Sequence, residues 1–96
     1  MKHSYPRSLL PQVFIEAWKG DQEIRFHINE ATETLEVWIR DAHAQVVIRR
    51  QFYGNETLSN SIDISPLPSG EYTLQFYPGD MPETEYSGKF YKKEEE

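Results

Sequence analysis

The chain contains no cysteine. Disulfide staples, zinc–thiolate centres and a thiol nucleophile are therefore excluded. No run approaches the ~20 apolar residues that a membrane-spanning helix needs. Residues 1–11, which include Pro6 and Pro11, lack the apolar stretch of a signal peptide. That leaves either a cytoplasmic address or an export signal lying outside this sequence. Basic charge is scarce, with 10 Lys and Arg against 16 Asp and Glu, for a formal net charge of −6. Phosphate binding requires a basic stripe. The basic doublets here are Arg49-Arg50 and Lys92-Lys93, the second followed directly by Glu94, Glu95 and Glu96. Nucleic acid is not an expected partner.

Catalytic and metal-binding patterns are missing as well. His3, His27 and His43 have no metal-ligand spacing such as H-x-x-x-H. Asp41 and His43 are close in sequence, but a polar turn accounts for them better than a metal does. Glu30, Glu33 and Glu36 form one acidic cluster, and Asp80, Glu83 and Glu85 another. Neither has the density of a calcium loop, and solvated turn charge explains both. There is no Gly-x-Ser-x-Gly elbow and no Gly-rich loop opening a helix. Asn55-Glu56-Thr57 matches a glycosylation sequon at a frequency expected by chance. The chain reads as a non-enzyme, with no cofactor and no metal.

What is present is a core in the making. Ninety-six residues with 38% hydrophobic and 14% aromatic content suffice for one domain with one modest core. No stretch shows a persuasive 3.6-residue apolar period. Pro11 to Gly20, the best helix candidate, carries the β-formers Val13, Phe14 and Ile15 and has no cap. Period-two alternation is plain instead. Ile24, Phe26 and Ile28 alternate with Arg25 and His27, and Leu35, Val37 and Ile39 with Glu36, Trp38 and Arg40. Seven strands are expected, at 12–18, 23–28, 34–40, 46–53, 61–64, 71–77 and 85–91, with Gly54-Asn55 and the polar residues after it forming a longer loop. Their regular spacing points to a sandwich. The fold class is all-β, a seven-stranded antiparallel immunoglobulin-like β-sandwich. Residues 1–11 are expected to be a flexible N-terminal tail, 12–91 the β-sandwich domain, and 92–96 a charged C-terminal tail.

One segment sharpens the topology. Leu67-Pro68-Ser69-Gly70-Glu71-Tyr72 enters the sixth strand with a Gly-x-Tyr after a tight corner. In immunoglobulin-like folds a tyrosine there turns inward and hydrogen-bonds back to the corner backbone. Gly70 and Tyr72 are the candidates for this structural corner.

Several segments together resemble a known pattern: Ile62-Asp63-Ile64, then Leu67 to Leu74, the alternation from Val37 to Val47, and Tyr86-Ser87-Gly88-Lys89-Phe90. They look like small exported immunoglobulin-like domains of unknown function from Bacteroidales bacteria. They are also similar to the C-terminal sorting domains of that phylum's type IX secretion system. The resemblance covers roughly residues 12–91. His43-Ala44-Gln45 stands where these families often carry glycine. The resemblance implies the fold and a periplasmic or extracellular address, and it supplies no catalytic or binding residues.

The aromatics suggest a surface. With Leu35, Val37 and Ile39 inward, Trp38 faces out, and the same alternation turns Tyr77 and Tyr91 outward. Strands three, six and seven share one sheet in immunoglobulin topology. Trp38, Tyr77 and Tyr91 are then expected on one solvent face, with Arg40, Gln75 and Lys89 around them. Such a platform suits stacking on sugar rings or burying a partner's apolar side chain. The bland counterpart is that these rings are structural cover, as Trp18 and Phe14 would be on the other sheet. The expected function is a non-enzymatic, exported interaction module that binds a protein or glycan at the cell surface. The alternative is a structural or assembly unit that pairs through an edge strand into a homo-oligomer, with 85–91 the candidate edge.

Overall fold

The computed structural model describes residues 15–79 and 85–93. Alternation is converted directly into strands. They are β1 (Ile15–Lys19), β2 (Glu23–Ile28), β3 (Thr34–Arg40), β4 (Val46–Tyr53), β5 (Ser59–Asp63), β6 (Gly70–Pro78) and β7 (Tyr86–Lys92). All neighbours pair antiparallel, in a three-stranded sheet ordered β1-β2-β5 and a four-stranded sheet ordered β4-β3-β6-β7. This is the expected immunoglobulin-like sandwich, with strands three, six and seven in one sheet.

The core lies between the sheets because each contributes one apolar face. Ile24, Phe26 and Ile28 of β2 meet Leu35, Val37, Ile39, Leu74 and Phe76 from β3 and β6, all essentially inaccessible to solvent. Phe26 links the layers, its ring edge-on to Phe52 at 5.2 Å and to Phe76 at 5.4 Å. Each such side chain contributes about 1.5–3 kcal/mol when fully buried. No helix among the described residues is long and apolar enough to cross a membrane.

Several boundaries differ from the sequence expectation. The expected tail at 1–11, and residues 12–14 of the first strand, lie outside the described residues. The longer loop expected after Tyr53 is instead a short 3₁₀ helix, Gly54–Thr57. It is anchored by Thr57, which is fully buried. The Thr57 hydroxyl accepts from the Thr32 amide at 2.9 Å and donates to the Gly54 carbonyl at 2.7 Å. β5 starts at Ser59 rather than Ser61, because Ser59 and Asn60 are held in register with His27 and Phe26. Pairing there overrides weak β propensity.

At the C-terminal side, β7 runs through Lys92, one residue beyond the expected strand end and into the expected tail. Lys92 is buried and its Nζ donates to the Leu67 carbonyl at 2.8 Å. The segment before β6 closes by a similar contact. Gly70 has φ of 152°, which side-chain-bearing residues rarely adopt. The Tyr72 hydroxyl then turns back to the Pro68 carbonyl.

Candidate functional site

The outer face of the four-stranded sheet holds the side chains that the core does not use. Register fixes who meets whom. Trp38 on β3 stands opposite Arg49 on β4 and Gln75 on β6, while Glu36 stands opposite Tyr77 and Gln51. Residues directly opposite in an antiparallel pair share a face, so these groups converge around the indole. Trp38 is half-buried without belonging to the hydrophobic core.

Its surroundings are cationic. The guanidinium carbons of Arg40 and Arg49 each lie 5.1 Å from the centroid of the Trp38 ring. The Tyr77 ring meets the indole edge-on at 5.4 Å. A guanidinium held by the π-face of tryptophan gains roughly 0.5–1 kcal/mol at an exposed site. Carboxylates and amides set the arginines in place. Arg49 Nε donates to Glu36 Oε2 at 2.9 Å, and Arg40 Nε to Gln75 Oε1 at 2.8 Å. Arg40 also donates to the Ala44 carbonyl at 2.9 Å, and Gln75 to Glu85 at 2.9 Å. Burial, aided by the Glu85 charge, pushes the Tyr77 hydroxyl above its ordinary range, and Arg40 opposes that shift.

One atom in this array is out of balance. Trp38 Nε1 is buried and has no hydrogen-bond partner among the described residues. A buried donor left unpaired costs on the order of 1–3 kcal/mol. Beside the indole runs a groove of about 400 Å³, lined by Thr34, Glu36, Trp38, Gln51, Tyr77, Pro78 and Gly79. At one end the Gly79 amide donates a hydrogen bond to the Thr34 carbonyl at 2.9 Å. A Cβ on Gly79 would run into Thr34 Oγ1.

The structure divides the expected platform. Trp38, Tyr77 and Arg40 come together. Lys89 stands opposite Thr73 and lines a second, smaller groove of about 200 Å³ with Arg40, Asp41 and Glu71. Tyr91 shares the face but not the cluster. It stands opposite Glu71, six residues along β6 from Tyr77, or roughly 20 Å at strand rise. The three aromatics share one face, on which Trp38 and Tyr77 form a pair and Tyr91 stands apart, 59% exposed. Arg49 was missing from the expected set. Its doublet with Arg50 was visible in the sequence, but its position against Trp38 depends on the β3–β4 register, and a bulge shifts that register between Ile39 and Arg40.

Among the described residues no group of three or more His, Cys, Asp or Glu side chains is placed to hold a metal ion. Asp41 is committed to its turn, with Oδ1 accepting from the amides of His43 at 2.8 Å and Gln45 at 3.0 Å.

Comparison with known proteins agrees with the architecture. No curated protein matches the chain. Among solved structures, a DUF3244 family protein with an immunoglobulin-like β-sandwich fold from Bacteroides vulgatus superposes with a TM-score of 0.74. The alignment covers 83% of this chain and 85% of that one at 18% identity, and so concerns the fold. Residues 19–86 match the family model described as the secretion system C-terminal sorting domain. Neither family is an enzymatic one, and a sorting domain implies export toward the periplasm or cell surface. With that match running from the end of β1 to the start of β7, the chain belongs to the secretion system C-terminal sorting domain family.

Proposed function

We propose that this domain is a non-catalytic recognition module of an exported protein, bound at the cell surface by a protein partner through the sheet face around Trp38. The observation that carries the reading is the state of Trp38. It stands outside the core, with two guanidinium groups over its ring and an indole N–H that has no partner among the described residues. A large aromatic ringed by arginines is the composition typical of binding hot spots.

A protein partner fits this face better than a glycan. Arg40, Arg49 and Tyr77 already occupy the space against the indole. A sugar ring would have to displace one of them, whereas carboxylates and carbonyls of a protein can pair with the remaining guanidinium donors. A glycan reading is favoured by a different residue, Tyr91, whose ring is bare. Retardation in polysaccharide affinity gels that vanishes in Tyr91→Ala would support that second reading.

The main test joins the chain to the C-terminus of a fluorescent reporter, in a bacterium that has a secretion system of this kind. Surface display is then compared for wild type, Trp38→Ala, Arg49→Glu and Phe76→Ala. Display should fall in the first two variants while their urea midpoints stay near wild type, and Phe76→Ala should lose both. Wild-type display by both surface variants would overturn the proposal.

A further inference from the structure

We infer that the free edge of β4 accepts an extended acidic segment of a partner protein as a fifth strand of the four-stranded sheet. The argument is independent of Trp38 and begins with the edges. β4, β7, β1 and β5 each end a sheet. β1 and β5 are short, at 5 residues each, and β7, of 7 residues, carries Gly88 with no side chain at its middle. β4 is the longest of the four at 8 residues. Its register with β3 shifts near Val47, which leaves Ile48 to Tyr53 as an unbroken row of paired residues. The outer side of such a row presents unpaired backbone donors and acceptors.

Side chains then select the occupant. Three of the four exposed large hydrophobics among the described residues, Val46, Val47 and Tyr53, lie at the two ends of β4. Between them stand Arg49 and Arg50, and the strand holds no acidic residue, in a chain whose net charge is −6. The two arginines point to opposite faces. Arg49 is opposite Trp38 on the outer face, while Arg50 is opposite Val37 on the inner one. Arg50 is nevertheless exposed, its guanidinium 6.0 Å from the Phe52 ring. Its charge reaches Asp63 at the end of β5 in the facing sheet, while the side chain itself stays exposed to solvent.

An added strand with two successive acidic residues would place one carboxylate beside Arg49 and the next beside Arg50, with apolar residues reaching Val47 and Tyr53. Opposite-charge cross-strand pairs stabilise, and like charges repel. A second copy's β4 would bring four arginines together, so this edge is not built for self-pairing. Backbone hydrogen bonds would give affinity, and the arginine pair would give selectivity.

The test uses a short blocked peptide of alternating valine and threonine with a central glutamate pair, a twin with a central lysine pair, and the acidic peptide N-methylated at alternate residues. Binding is followed by amide chemical shifts of the intact chain. The acidic peptide should shift the amides of residues 48–53, and N-methylation on the edge-facing side should abolish binding. Arg50→Glu, an exposed substitution, should weaken the acidic peptide at least about tenfold and admit the lysine twin, as expected for charge-selected pairing. Equal binding of both peptides, indifference to N-methylation, or shifts centred on Trp38 and Tyr77 would each overturn the inference. So would no shift with any peptide. Size growth with protein concentration that blocks the peptide would show a second copy on this edge and overturn it too.

Discussion

The Tyr72 hydroxyl donates a 2.5 Å hydrogen bond to the carbonyl of Pro68, while the Tyr72 ring stacks on Phe90 at 5.4 Å. The bond and the stack separate cleanly by mutation. Tyr72→Phe keeps the ring and removes the bond, and should cost about 0.5–1.5 kcal/mol in urea unfolding. Tyr72→Ala removes both and should cost about 3–5 kcal/mol. Equal losses in the two variants would show that the bond, rather than the packing, holds this corner.

Ala44 has φ of 67° in the turn between β3 and β4. A residue with a Cβ pays about 1–2 kcal/mol for that conformation. The turn tolerates it because the Ala44 amide donates to the Asp41 carbonyl at 2.9 Å and the Ala44 carbonyl accepts from Arg40. Ala44→Gly should therefore raise stability by about 0.5–1 kcal/mol, despite glycine's greater freedom when unfolded. A loss on thermal melting would mean that the strain is absent in solution.

Lys92 and Lys93 are adjacent in sequence and opposite in consequence. Lys92 is 5% exposed and holds the Leu67 carbonyl, whereas Lys93 lies exposed beyond β7. Lys92→Glu would set a buried carboxylate against a carbonyl and should cost about 3 kcal/mol or more. Lys93→Glu should stay within about 0.5 kcal/mol of wild type. Similar urea midpoints for the two variants would place the Lys92 amine in solvent.

These residues show where sequence is transparent. The interiors of β2, β3 and β6 were legible because Ile24, Phe26, Leu35, Val37, Leu74 and Phe76 alternate with polar neighbours, and a one-residue slip would expose all of them. The corner at Tyr72 was legible because Gly70 and the prolines before it permit few backbone paths. The missing glycine near Ala44 was visible too, although the φ it leaves behind was not. What stayed hidden depends on contacts between distant segments. Nothing local marks Thr57 as buried, Lys92 as a strand residue, or Arg49 as the neighbour of Trp38. The separation of Tyr91 from Trp38 was hidden for a different reason: alternation names its face correctly but carries no distance along the sheet.

Acid should loosen this domain through two turn carboxylates. Asp41 is held below its usual range mainly by the Gln45 amide, with His43 assisting against partial desolvation. Asp63 is held down mainly by the amide and hydroxyl of Ser65, with the charges of Arg50 and Lys92 adding to it. Both favour the ionised form in the folded state, so on acidification the unfolded chain takes up the proton first. Their contribution is fully present above the ordinary carboxylate value of about 4 and is lost as pH falls through the lower folded values. Urea midpoints measured downward from neutral pH should decline in that window. An Asp41→Asn and Asp63→Asn double variant keeps an acceptor at each site and should remain folded at neutral pH with a flatter decline. Tyr72 has the opposite sign, since burial raises its hydroxyl. Its contribution holds below about pH 10 and is lost as pH rises through the folded value. An acid limb as steep in the double variant as in wild type would mean that these two turns do not gate unfolding, and that protonation acts elsewhere among the carboxylates.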